Sequence, residues 1–119
     1  MFEKNMRIAY LLDFYVDLLD EHDASVMTAY YHDDLSLAEV AADESISRQG
    51  VRHIIKKCEE QIVFLEEKLS LAKKHEAMAK TAEDLLAVRD FISSLDNDEA
   101  IPYIMKLNEA ISSIQNKGV

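Results

Sequence analysis

The residues best suited to chemistry in this sequence lie in a short basic stretch, residues 45–58, which holds four cations and no acid. Arginine can make paired hydrogen bonds to guanine, and lysine can neutralise phosphate groups. We expect side chains near the start of the stretch to read base edges and the lysines near its end to contact phosphates. The candidate nucleic-acid-binding residues are, in order, Ser47, Arg48, Gln49, Arg52, His53, Lys56 and Lys57.

Two helices and a tight turn must position this stretch. Ser36 and Glu39 have the spacing of a capping box, which begins a first helix, and Ser47 can cap a second. Ser45 stands in the turn where glycine is commonest, because that position requires a positive φ. The whole pattern, Leu35 to Lys57, predicts a helix-turn-helix whose second helix enters the major groove. Two amphipathic helices joined by a polar turn also occur in bundles that never contact nucleic acid.

The net charge of −10 opposes nucleic-acid binding, and its distribution along the chain decides how strongly. Residues 1–44 carry eleven acidic side chains against two cations, and residues 59–119 are also acidic overall. A basic patch on an acidic body can still bind DNA locally, but phosphate neutralisation supplies most non-specific affinity. We therefore expect weak binding to random DNA.

Composition favours an all-α fold. The 119 residues include only two glycines and one proline, and no stretch shows the alternation that is typical of a strand. The single cysteine, Cys58, cannot form an internal disulfide, and no apolar run is long enough to span a bilayer. We expect a cytoplasmic protein without membrane insertion.

No group of residues assembles a recognisable active site. His22 with Asp23, and His32 with Asp33 and Asp34, are acid–imidazole pairs that could ligate a metal in principle. Adjacent residues rarely point at one ion, so solvated helix caps are the simpler interpretation. We therefore expect no enzymatic activity, no cofactor and no metal.

The second helix of the motif continues beyond the length that a small DNA-binding domain needs. Apolar residues recur along it with the heptad spacing of a coiled-coil seam. The expected dimerisation residues are Val51, Ile55, Cys58, Ile62, Leu65 and Leu69. A second subunit could cover this seam, and so could the C-terminal part of the chain. We expect a homodimer with a helix-turn-helix domain over residues 1–58 and a helical extension and dimerisation region over residues 59–119.

Three segments together closely resemble the YlxM family of Gram-positive bacteria: NMRIAYLLDFYVDLL, AYYHDDLSLAEVAADESISRQGVRHIIKKCE and FLEEKLSL. The resemblance runs from about Lys4 to Leu71. It implies a helix-turn-helix like that of region 4 of bacterial sigma factors, a long helix involved in dimerisation, and genes adjacent to those for signal recognition particle components. It also implies a part in the signal recognition particle pathway and no catalysis.

Two functions remain open at this point. The first is a dimeric, DNA-binding regulatory protein, favoured by the ordered spacing of Arg48, Gln49 and Arg52. The second is an interaction module of the protein-targeting machinery, which would use the same basic helix on RNA or on a signal recognition particle component. The acidic body favours the second function, because a protein partner tolerates it better than duplex DNA does.

Overall fold

The computed structural model describes residues 4–116, which form six α-helices joined by short turns. The helices are α1 (Met6–Tyr15), α2 (Glu21–Tyr31), α3 (Leu37–Glu44), α4 (Arg48–Leu69), α5 (Leu71–Ser94) and α6 (Ile101–Asn116). Short 3-10 turns follow α1 and precede α6. The all-α prediction is confirmed, and no strand occurs in this part of the chain.

The chain divides into two compact units after Ser70. The first unit holds α1 to α4 and the second holds α5 and α6. The boundary that the sequence suggested, after Cys58, lies inside the continuous helix α4. The structural division comes later because α4 packs along its length on helices of the first unit.

In the first unit, α4 is the central helix, and α1, α2 and α3 all contact it. The core is closed by apolar side chains from all four helices, among them Leu12, Val26, Val40 and Ile55, each with no exposed surface. Full burial of side chains of this size contributes about 1.5–3 kcal/mol each. The first unit therefore has a complete hydrophobic core of its own.

The second unit is a hairpin of α5 and α6. The guanidinium of Arg89 on α5 donates a hydrogen bond of 3.0 Å to the side-chain oxygen of Asn108 on α6. Within the described part of this unit, the buried apolar residues are Ala72, Ala82 and Ile111. Two helices cannot enclose their larger apolar side chains, so many of these remain in contact with solvent.

Within residues 4–116, no helix has both the length and the apolar character needed to cross a bilayer.

Candidate nucleic-acid interface

Helix α3 begins and ends with the geometry that its residues predicted. The Ser36 hydroxyl accepts from the Glu39 amide at 3.1 Å, and the Glu39 carboxylate accepts from the Ser36 amide at 3.1 Å. The capping box is therefore confirmed, and these bonds hold the pKa of Glu39 below its usual value. Ser45 adopts the left-handed conformation at φ 57° and ψ 41°.

Two backbone hydrogen bonds complete this turn. The Ile46 amide donates to the Ala41 carbonyl at 3.1 Å, and the Ser45 amide donates to the Ala42 carbonyl at 3.4 Å. These are the two bonds of a Schellman motif, which ends a helix by turning the chain through a left-handed residue. A serine at that position retains steric strain that glycine would relieve.

The start of α4 depends on Ser47 and Gly50. The Ser47 hydroxyl accepts from the Gly50 amide at 2.9 Å, which makes Ser47 the N-cap. A Cβ added at Gly50 would lie 3.3 Å from that hydroxyl and 3.7 Å from the end of the Ile46 side chain. The absence of a side chain at Gly50 therefore lets Ser47 and Ile46 of the preceding turn pack close to α4. Ser47 has a structural role as the N-cap of this helix.

The outward face of α4 carries most of the predicted contact residues. Gln49, Arg52, His53 and Lys56 recur at intervals of three and four, so they share one helical face, and Arg48 lies beside Arg52. All five are exposed. Within residues 4–116, no hydrogen bond or ion pair engages these five side chains, so they are available to a ligand.

Lys57 differs from these neighbours. Its ammonium lies 2.8 Å from a carboxylate oxygen of Asp23 on α2, and Asp23 is a buried charged residue with 5% of its surface exposed. The hydrogen bond to Asp23 raises the pKa of Lys57. The sequence predicts a phosphate contact for Lys57 and a solvated helix cap for Asp23. In the structure Lys57 neutralises a buried carboxylate and joins α4 to α2.

Acidic groups border the basic face at both ends. Glu44, at the end of α3, accepts a hydrogen bond from the Ser25 hydroxyl at 2.6 Å and lies 3.4 Å from the His22 imidazole. At the other end, Glu59 and Glu60 follow Lys57 by two and three residues. The cations available to a phosphate backbone are therefore Arg48, Arg52 and Lys56, which is one fewer than the sequence suggested.

The predicted dimerisation seam is mostly internal to one protomer. Val51, Ile55, Cys58 and Ile62 have no exposed surface, and the helix that carries them packs on α1, α2 and α3. The assignment of these four residues to a subunit interface is therefore wrong. The heptad spacing reflects packing around a central helix, which produces the same pattern. Leu65 is half-buried and Leu69 is 41% exposed, so these two can still contact a partner.

Two tyrosine hydroxyls also hold α4 in place. The hydroxyl of Tyr15 on α1 donates to the Glu66 carboxylate at 2.5 Å. The hydroxyl of Tyr31 on α2 donates to the Glu59 carboxylate, and burial together with this bond raises the pKa of Tyr31. Their partners lie 51 and 28 residues away, so no local signal could have identified them.

Among the described residues, no group of three histidine, cysteine or acidic side chains could hold a metal ion. His22 lies beside Glu44, and His32 lies 3.2 Å from a carboxylate oxygen of Asp13. Each histidine is therefore paired with an acidic residue from a different helix.

A left-handed turn, a capped second helix and an exposed basic face define an all-α protein of the helix-turn-helix class. The model of the UPF0122 family, described as "Putative helix-turn-helix protein, YlxM / p13 like", matches residues 2–98, and the chain belongs to this family. The resemblance found in the sequence is therefore confirmed. The family description names a helix-turn-helix protein and no catalytic activity.

Relatives occur in several bacteria, and two of them align over nearly the whole chain. A UPF0122 protein of Clostridium perfringens strain SM101 is 40% identical over 111 residues, which cover 93% of this chain and 99% of the relative. One from Halalkalibacterium halodurans is 36% identical over 115 residues, covering 97% of this chain and all of the relative. One from Clostridium botulinum strain Alaska E43 is 46% identical over 72 residues, which cover 60% of this chain and 66% of the relative.

Proposed function

We propose that this chain is a cytoplasmic, DNA-binding regulatory protein that acts as a homodimer. Arg48 and Arg52 read bases from the start of α4, and Lys56 contacts a phosphate. The observation that carries this proposal is the exposed, unpaired basic face on a helix that a Schellman turn and a serine cap fix in place. Arginine at such a position is suited to guanine, where each paired contact contributes about 1–3 kcal/mol of discrimination.

The homodimer proposal is supported by the second unit. Phe91, Tyr103 and Met105 are 66%, 63% and 60% exposed, and a cluster of large exposed apolar side chains is typical of a surface that a partner covers. Helix α5 also has three lysines and one acid in its first half, and three acids and one arginine in its second half. Antiparallel packing of two such helices about a two-fold axis places each lysine-rich half opposite an acid-rich half. A dimer also suits helix-turn-helix proteins, which read paired half-sites.

We further propose that this regulation belongs to the signal recognition particle pathway. The support is the resemblance to the YlxM family, whose genes lie next to those for particle components. The alternative is an interaction module of the targeting machinery, and the net charge of −10 favours it because acidic surfaces repel nucleic acid.

Selection of DNA sequences by the full-length protein at low salt tests the proposal. Arg48→Ala should relax the preference at one base position, and Lys56→Ala should weaken all sequences alike with a salt slope lower by about one. Lys106→Ala removes one exposed cation from the second unit and is the matched control. Absence of any selected sequence, with Arg48→Ala indistinguishable from Lys106→Ala, contradicts DNA reading.

A pull-down from native lysate, divided into nuclease-treated and untreated halves, decides between the two functions. DNA recovered from the untreated half supports the regulator, whereas recovered RNA supports the interaction module. Signal recognition particle proteins that remain bound after nuclease treatment support the interaction module.

A further inference from the structure

A second surface of the first unit is an apolar groove between the start of α1 and the second half of α4. The groove has a volume of about 350 Å³, and Ile8, Val63 and Phe64 supply apolar side chains to it. Ile8 is buried, whereas Val63 is 41% and Phe64 is 49% exposed. Neither the core nor the basic recognition face uses these two exposed side chains. A shallow apolar groove with a polar rim is typical of a surface on which a protein partner packs.

The rim of this groove is acidic. Glu59, Glu60 and Glu67 line it together with the apolar residues. Glu60 and Glu67 are exposed, and neither is in an ion pair with any residue in the described range 4–116. One nearby cation is Lys68, whose ammonium lies 5.6 Å from the centre of the Phe64 ring. The rim therefore has an excess of negative charge, and the Phe64 ring already interacts with a cation.

The spacing of the two exposed glutamates limits what can bind. Glu60 and Glu67 are seven residues apart on one helix, which corresponds to about 10 Å along its axis. Two lysines or arginines seven positions apart on a ligand helix match this distance. Apolar side chains between them would face Val63 and Phe64, as in other complexes in which an amphipathic helix occupies a groove.

We propose that this groove binds a basic, amphipathic helical segment of a protein partner. Apolar side chains of the segment pack on Val63 and Phe64, and its cations pair with Glu60 and Glu67. This role goes beyond DNA binding and does not depend on it, because the groove residues are separate from Arg48, Arg52 and Lys56.

A labelled peptide of leucine and lysine, about 14 residues long with leucines at helical spacing, tests the proposal without nucleic acid. Fluorescence anisotropy with the full-length protein should give a dissociation constant on the order of 10 μM. Phe64→Ala should weaken binding about tenfold, because one large apolar contact is lost. Phe64 is half exposed, so this variant should keep the helical content and melting temperature of the parent.

Charge reversal supplies the matched comparison. The double variant Glu60→Lys with Glu67→Lys should abolish binding. The variant Asp17→Lys with Glu109→Lys makes the same change in net charge at exposed positions outside the groove and should bind nearly as the parent does. A peptide of the same composition in scrambled order should bind at least about tenfold more weakly, because its apolar face is lost.

Three results would overturn the proposal. The first is equal binding of the ordered and scrambled peptides, which indicates charge attraction alone. The second is an equal loss in the two double variants. The third is a shift of the monomer–dimer equilibrium by Phe64→Ala in sedimentation while the peptide fails to bind, which assigns the groove to a second copy of this chain.

Discussion

The two units of this protein differ in how they treat their apolar side chains. The first unit encloses Leu12, Val26, Val40 and Ile55 completely, whereas the second leaves Phe91 mostly exposed. A central helix with three neighbours can bury one whole stripe, but a two-helix hairpin leaves each helix with a free side. The first unit therefore has the closed core of an independent domain, whereas the second has an exposed apolar surface of the kind found at interfaces. This contrast can be tested by making comparable changes in both units.

The largest expected contrast is in thiol reactivity. Burial, followed by the nearby negative charge of Asp23, raises the pKa of Cys58 from 9.0 to about 12. A rise of three pKa units lowers the thiolate fraction about a thousandfold near neutral pH. Because only the thiolate reacts with an alkylating reagent, the rate of alkylation should fall by the same factor. We expect Cys58 to react at least about a thousand times more slowly than a thiol introduced by Ala87→Cys on exposed α5. Mass spectrometry of alkylated protein over time measures both rates.

The raised pKa of Cys58 also predicts a dependence of stability on pH. The thiol is neutral below its unfolded pKa, so its contribution to stability is fully present there. That contribution is lost as the pH rises from about 9 towards 12, because unfolding then releases a proton.

Alkylation of Cys58 at neutral pH as fast as at the introduced thiol would mean that the first unit opens readily, and the contrast between the units would fail.

The second contrast is between a buried and an exposed apolar residue. Ile55→Ala should destabilise the first unit by about 2–5 kcal/mol, because it leaves a cavity in a closed core. Phe91→Ala should not change the denaturant concentration at which Cys58 becomes half accessible to alkylation. It should, however, shift the protein towards monomer in sedimentation. A parent protein that is monomeric at micromolar concentration would contradict the proposed dimer. Unfolding of the first unit by Phe91→Ala would contradict the independence of the two units.

How far the sequence could predict the structure depended on the distance between interacting residues. The Ser36–Glu39 capping box, the left-handed Ser45 and the continuation of α4 to Leu69 were predictable, because each depends on residues a few positions apart. Which helices cover the heptad seam could not be predicted. An apolar stripe such as that of Val51 has the same spacing whether helices of the same chain or of another subunit pack on it.

Side-chain partners that are distant in sequence could not be predicted either. Lys57 and Asp23 are 34 positions apart, and no local pattern connects them. The sequence predicts the same role for Lys57 as for its neighbour Lys56. The two differ because α2 places the buried carboxylate of Asp23 next to Lys57. The exposure of Arg48, Arg52 and Lys56 could therefore be predicted from the sequence, while the role of Lys57 required the fold.

This pair of lysines provides the third test. Lys57→Ala should destabilise the first unit by about 1–3 kcal/mol, because the buried Asp23 loses its partner. Lys56→Ala should change stability by less than about 0.5 kcal/mol, as exposed substitutions usually do. Denaturant-dependent alkylation of Cys58 reports on the first unit alone. Equal effects of the two substitutions would show that the Asp23 pair contributes little.

The smallest expected effect concerns the turn of the helix-turn-helix. Ser45→Gly should stabilise the first unit by about 0.5–1 kcal/mol, because glycine adopts a φ of 57° without the steric cost that serine incurs. The same exchange at Ser112, an exposed position inside α6, should destabilise the second unit by a similar amount, since glycine weakens a helix. Cys58 alkylation measures the first effect, and loss of helical circular dichroism in denaturant measures the second. If both variants lost stability, the turn would not hold Ser45 in the left-handed conformation in solution, and the geometry that positions Arg48 and Arg52 would have to be different.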